Sequence, residues 1–162
     1  MKHIPLFILS LIMMTACATG TAVSNIELAP MDKSVIIGVV WYLWEIRSGD
    51  TVIGLNRQEL KAGGEANMYS LRFDRDGYVS GKAAPNNYRG SCVWGDDSTL
   101  SFGVLASTKM AALKEPEPLK EQEYFDYLSR VDRWVLTAAT KLELHTTDKD
   151  GVRSVMIFEK SS

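Results

Sequence analysis

Residues 68–83 set the narrowest limit on what this chain can fold into. Tyr69, Leu71 and Phe73 alternate with Ser70 and Arg72, and Asp76-Gly77 follows. A period of two turns one side of a strand toward a core. Asp-Gly then closes a hairpin, because glycine reaches φ > 0 without steric cost. Residues 78–83 return as the partner strand. The same pattern recurs along the chain. Residues 35–46 are rich in β-branched and aromatic side chains, and Ser48-Gly49-Asp50 has the composition of a turn. Further strands are expected at 88–94, around Leu100, Phe102 and Val104, and at 134–137, 142–145 and 152–158. Gly95-Asp96-Asp97-Ser98 and Asp148-Lys149-Asp150-Gly151 punctuate them.

One helix is expected. Pro116 and Pro118 mark its start, Glu117, Glu121 and Glu123 suit the positive end of its dipole, and Tyr124, Phe125, Leu128 and Val131 form one apolar stripe. Seven or eight short strands with one late helix give a mainly β (α+β) class: an antiparallel sheet with the helix packed on one side. A parallel α/β sheet would need helices between its strands.

The 162 residues, 46% hydrophobic and 23% charged, fit one domain. Eighteen basic against twenty acidic residues leave a charge of −2, which argues against binding nucleic acid through a basic surface.

The N-terminus reads as an address. Lys2 and His3 precede an uncharged run over residues 4–14. That run is too short for a bilayer-spanning helix, which needs about 20 residues, and has the length of a signal-peptide core. Met14-Thr15-Ala16-Cys17 resembles a bacterial lipobox, which implies cleavage before Cys17 and acyl chains, palmitate among them, on its thiol. Two chains suffice for stable anchoring. An ordinary signal cut after Ala16 or Ala18 is the alternative. Ala18 stands where Asp would retain a lipoprotein in the inner membrane, which implies the outer membrane, with the domain facing the periplasm. Residues 1–16 are thus read as signal peptide, 17–34 as a flexible tether of about 23 Å, and 35–162 as the folded domain. Processing leaves His145 and, beside Cys17, the free thiol of Cys92, which excludes a Cys/His zinc cluster and a disulfide within the mature monomer.

Several segments together resemble the META domain, the family that includes the HslJ-like heat-shock lipoproteins. Trp41-Tyr42-Leu43 with Ile46 resembles its opening strand, and residues 71–81 its central hairpin. Asn86-Asn87-Tyr88-Arg89-Gly90, Leu100-Ser101-Phe102, residues 107–111, Glu123-Tyr124-Phe125 with Leu128, and Trp134 follow in family order. The resemblance implies a cracked barrel closed by a helix, with an apolar pocket between the two, and a link to envelope stress or antibiotic tolerance. Pro85 and Ala112 stand where the family usually has cysteines, so a cross-link, redox or metal role there is in doubt. Asn86, Tyr88, Thr108 and Met110 are the candidate contacts for an apolar ligand or an envelope protein; loop 83–88 is also a candidate grip on a protein partner.

Catalytic chemistry is sparse. Motifs for a serine nucleophile elbow, a phosphate loop or a His-Glu-x-x-His metal site are absent, and Asp74-x-Asp76-Gly77 lacks the remaining ligands of a calcium loop. Glu143 and His145 lie two apart on one strand, so Glu143 can orient His145 beside a nearby Ser. That pair defines the alternative, a periplasmic hydrolase. Cys92, beside Val93 and Trp94, reads as a buried inert thiol. The favoured expectation is a non-enzymatic lipoprotein without a cofactor.

Overall fold

The computed structural model describes residues 32–110 and 118–161. The signal peptide, Cys17, most of the tether, Ala111, Ala112, Pro116 and Glu117 lie outside the described residues. Twelve elements follow one another: a 3₁₀ turn Lys33–Val35, β1 Val40–Ser48, β2 Thr51–Gly54, α1 Arg57–Ala62, β3 Ser70–Phe73, β4 Tyr78–Lys82, β5 Asn87–Trp94, β6 Leu100–Ser107, α2 Glu121–Ser129, β7 Val131–Ala138, β8 Lys141–Thr147 and β9 Arg153–Lys160.

Eight strands form one antiparallel sheet in the order β6-β5-β4-β3-β1-β9-β8-β7, and β2 pairs with the far end of β1. The sheet curls so that its two ends, β6 and β7, meet at the bridge Thr99–Arg133, where the Trp134 N–H donates to the Ser98 carbonyl at 2.9 Å. The barrel is therefore cracked, as expected for the fold class, and α2 packs against the sheet.

The hairpin at Asp76-Gly77 forms as read, with Gly77 at φ +75 and Phe73 paired to Val79. Tyr69, Leu71 and Phe73 are fully buried, as are Trp41, Leu43 and Phe158. Each such side chain contributes about 1.5–3 kcal/mol of transfer free energy. Trp41 and Trp134 both sit in this core.

Four expectations need correction. The first strand begins at Val40, not Val35. Asp32 accepts from the Ser34 N–H and starts the 3₁₀ turn, and Gly38 at φ +78 redirects the chain before β1. The folded part thus reaches back to Asp32, inside the expected tether. Second, β2 and α1 were not expected. Their signals are in the chain: Thr51-Val52-Ile53 is β-branched, and Asn56 accepts from the Glu59 N–H as an N-cap. Third, α2 starts at Glu121, so Pro118 precedes it. The Glu123 carboxylate accepts from the Lys120 N–H at 2.8 Å and fixes that start. Fourth, Val131 opens β7 rather than extending the helical stripe.

Two glycines are required by close approach. A Cβ on Gly81 would sit 2.0 Å from the Ser70 carbonyl oxygen, and one on Gly90 2.7 Å from that of Val104, beside the register shift between Gly90 and Cys92. Backbone cannot yield as a side chain does. Gly81→Ala is expected to cost about 1–3 kcal/mol or more in urea denaturation; a loss under 0.5 kcal/mol would show that the strands separate freely there.

Candidate functional site

The expected contact residues fall into two adjoining knots. In the first, Asn86 is buried at the turn between β4 and β5. Its Nδ2 donates to the Met110 carbonyl at 3.3 Å and to Glu121 Oε2 at 3.0 Å. Its Oδ1 accepts from the Met110 N–H at 2.7 Å and from Thr108 Oγ1 at 2.9 Å. Thr108 Oγ1 in turn accepts from the Asn87 N–H. Asn86 therefore ties the β4–β5 turn, the end of β6 and the start of α2 together, and its donors and acceptors are all engaged within the chain. Thr108 and Met110 belong to this knot. The Met110 side chain remains 56% exposed while its backbone is clamped.

Tyr88 belongs to the second knot, inside the barrel. Its hydroxyl donates to the Ser70 carbonyl at 2.9 Å and lies 3.2 Å from the Tyr124 hydroxyl, which also approaches Ser70 O at 3.3 Å. Tyr69 donates its hydroxyl to the Leu119 carbonyl just before α2. Tyr69 takes φ +50, uncommon for a side chain of its size, and its ring meets that of Tyr124 edge-on at 5.3 Å. Phe125 packs edge-on against Tyr88. Sequence reasoning missed Tyr69, Ser70 and Gly81 as members of one assembly. The periodicity placed Tyr69 in the core but could not show that three hydroxyls converge on the approach of α2.

Burial pushes the Tyr88 and Tyr124 hydroxyls well above the usual tyrosine range. The rings and hydroxyls of Tyr69, Tyr88 and Tyr124 meet one another where α2 approaches the sheet. Burial also raises the Cys92 thiol above its ordinary range, in keeping with an inert side chain.

His145 Nε2 lies 3.4 Å from Glu143 Oε2 on the outer face of β8, so the expected pair does meet. Its cross-strand neighbours are Arg133 and Val155, and those of Glu143 are Val135 and Ile157. Ser154 pairs with Thr146 and donates to Ser48 instead. Among the described residues, no serine stands opposite the pair, and no group of three or more His, Cys, Asp or Glu could hold a metal ion. No described helix is long and apolar enough to cross a membrane.

The META domain family model matches residues 36–160. The chain belongs to the META domain family. The comparison with curated proteins gives no match. Among solved structures, this META domain is similar to a protein from Burkholderia xenovorans solved by NMR. The two are 23% identical, with a TM-score of 0.57 over 80% of this chain and 86% of the other. It is also similar to a DUF4847 family protein from Bacteroides vulgatus, at 12% identity and a TM-score of 0.52 over 78% of this chain and 94% of that one. At these identities the likeness shows a shared fold.

Two outcomes follow for the knots. Asn86→Asp sets a second carboxylate against Glu121 and removes two donors, so a loss of about 2–4 kcal/mol in urea denaturation is expected; retained stability would dissolve the first knot. For the tyrosines, the unfolded state releases its phenolic protons near pH 10 while the folded state holds them. Stability is then complete below about pH 10 and declines as pH rises toward the raised folded values. Tyr124→Phe should flatten that decline in denaturation curves taken from pH 8 to 11; an unchanged slope would refute the coupling.

Proposed function

We propose that this META domain is carried by a non-enzymatic, lipid-anchored envelope protein. Its acylated Cys17 holds it at the periplasmic face of the outer membrane. There it binds a protein partner in the response to envelope stress or antibiotics. The observation that carries this reading is the cluster of buried side chains beneath α2. Tyr69, Tyr88, Tyr124 and Leu128 are all buried where an apolar guest would otherwise lie between α2 and the sheet. Recognition then falls to the surface, where Met110 offers an exposed apolar side chain on a backbone already clamped by Asn86, which spares the backbone share of the ordering cost on binding.

An apolar ligand is the second form of this reading, and native mass spectrometry separates the two. The mature domain, purified without detergent, is expected at its bare polypeptide mass. A discrete added mass that extracts into organic solvent would replace the protein partner with a lipid. Palmitate should label wild type and not Cys17→Ala; equal incorporation would remove the anchor from the proposal.

The hydrolase alternative draws on the His145–Glu143 contact. It requires His145→Ala to abolish a turnover while leaving the melting temperature alone. The expected result is a variant that complements a deletion strain as wild type does under heat or antibiotic challenge.

A further inference from the structure

The outer wall of β4, β5 and β6 carries an apolar patch that none of the preceding roles uses. Ser91 stands at its centre. Tyr78 is the partner of Ser91 on β4, and Val93, two residues along β5, shares its face. On β6 the register shifts between Gly90 and Cys92, so Ser91 alone opposes both Gly103 and Val104. A bulge re-aims the side chain of the extra residue, and Val104 stands 91% exposed. Val93 is 63% and Tyr78 43% exposed. Small residues flatten the ground between them. A Cβ on Gly103 would lie 2.3 Å from Ser91 Oγ, and Ser101 is the partner of Val93.

The charge of this wall differs from that of the rest of the sheet. β4, β5 and β6 contain no Asp or Glu, in a chain with twenty acidic residues. Lys82 and Arg89 are their charged residues, and Arg89 lies over the Tyr78 ring, 4.6 Å from its centroid. β1, β8 and β9, by contrast, carry Glu45, Glu143 and Glu159. The acids nearest in sequence, Asp74, Asp76, Asp96 and Asp97, sit in the connections beyond the strand ends.

We propose that this wall rests on an anionic phospholipid surface. Aliphatic tips beside a tyrosine and cations, with no carboxylate among them, suit a bilayer interface. The valines enter the acyl boundary, the tyrosine ring lies at headgroup depth and the cations stay in water. The path of the chain favours a membrane over a protein as the occupant. Fourteen residues separate Cys17 from Asp32, so an acyl group on Cys17 holds Asp32 within about 50 Å of the bilayer. The chain then enters the fold at the end of the barrel where this wall lies. Lys33 sits over the ring of Trp94, the residue after Val93. The Gly38 N–H donates at 2.8 Å to the carbonyl of Phe73, where the hairpin to Tyr78 begins. A tether makes the contact intramolecular, so a small patch suffices. This inference deepens the anchored reading and rests on it. Met110 follows the opposite end of β6 and remains the contact for a protein partner.

The test uses the chain from Cys17 onward, which keeps every described element. Its Cys17 thiol is coupled to a maleimide lipid in nanodiscs of phosphatidylethanolamine and phosphatidylglycerol, one chain per disc; Cys92 is buried and is spared. A second lipid carries a nitroxide on its headgroup, and valine methyl spectra are recorded. Val93 and Val104 should broaden severalfold more than Val52 and Val152, which are also exposed but lie elsewhere. Val104→Asp should cut the broadening at Val93 about threefold. Its melting temperature should match wild type, because the side chain is almost wholly in solvent. Equal broadening of all four valines, stronger broadening at Val52 and Val152, or no effect of Val104→Asp would overturn the proposal. Signals of Val93 and Val104 that change only when two chains share a disc would give the wall to a second copy and overturn it too. Coupling supplies the anchor chemically, so the result is independent of acylation in cells. Docked valines without palmitate labelling would keep the wall and remove the anchor; undocked valines with palmitate labelling would do the reverse.

Discussion

The fold depends on one buried backbone oxygen, that of Ser70. It accepts from Tyr88 on β5 and faces Tyr124 on α2, so a single carbonyl joins sheet and helix. A carbonyl so deeply placed costs free energy if left unpaired, which makes its two phenolic partners obligatory rather than decorative. Everything nearby follows from keeping that oxygen reachable. Gly81 has no side chain because a Cβ would occupy the same space. Tyr69 takes its positive φ and caps the approach to α2 through Leu119. Arg57 reaches from α1 to the Met68 and Ala66 carbonyls and fixes the loop that leads into Tyr69.

The Asn86 knot does for the rim what Ser70 does for the interior. A cracked barrel has two free edges, and an open edge invites further pairing. Here β6 and β7 touch at Thr99–Arg133. The opposite end of β6 is fastened through Thr108 and Met110 to Asn86, and through Asn86 to the first residue of α2. Polar side chains thus position the helix at its N-terminus, and apolar ones seat its buried face. The two kinds of contact are divided along the helix, with Glu121 at one end and Tyr124 and Leu128 beyond it.

Much of this architecture was legible because strands and hairpins write themselves in short-range patterns. The alternation up to Phe73 and Asp76-Gly77 placed the central hairpin to within two residues. The stripe of Tyr124, Phe125 and Leu128 placed α2. What escaped was either too short or too distant. Four residues of β2 and six of α1 offer little periodicity, although Asn56 and Glu59 form a readable cap. Val131 continued the helical spacing by accident, and strand pairing with β8 overrode it. The four expected contact residues fall into two adjoining knots. No spacing rule could divide them, because Asn86 and Tyr88 are two apart in sequence yet serve the rim and the interior respectively.

The pairing of β1 with β9 has a consequence for timing. The first long strand pairs early with β2 and β3 but takes its other neighbour from β9, and Ser48 and Ser154, 106 residues apart, share a hydrogen bond across that seam. The Ser161 N–H even closes on the Val40 carbonyl. A ribosome that still holds β9 therefore holds a chain that cannot complete its central sheet. Closing so long a loop is slow and is rewarded only at the end. The central sheet is complete only once β9 is free to pair with β1.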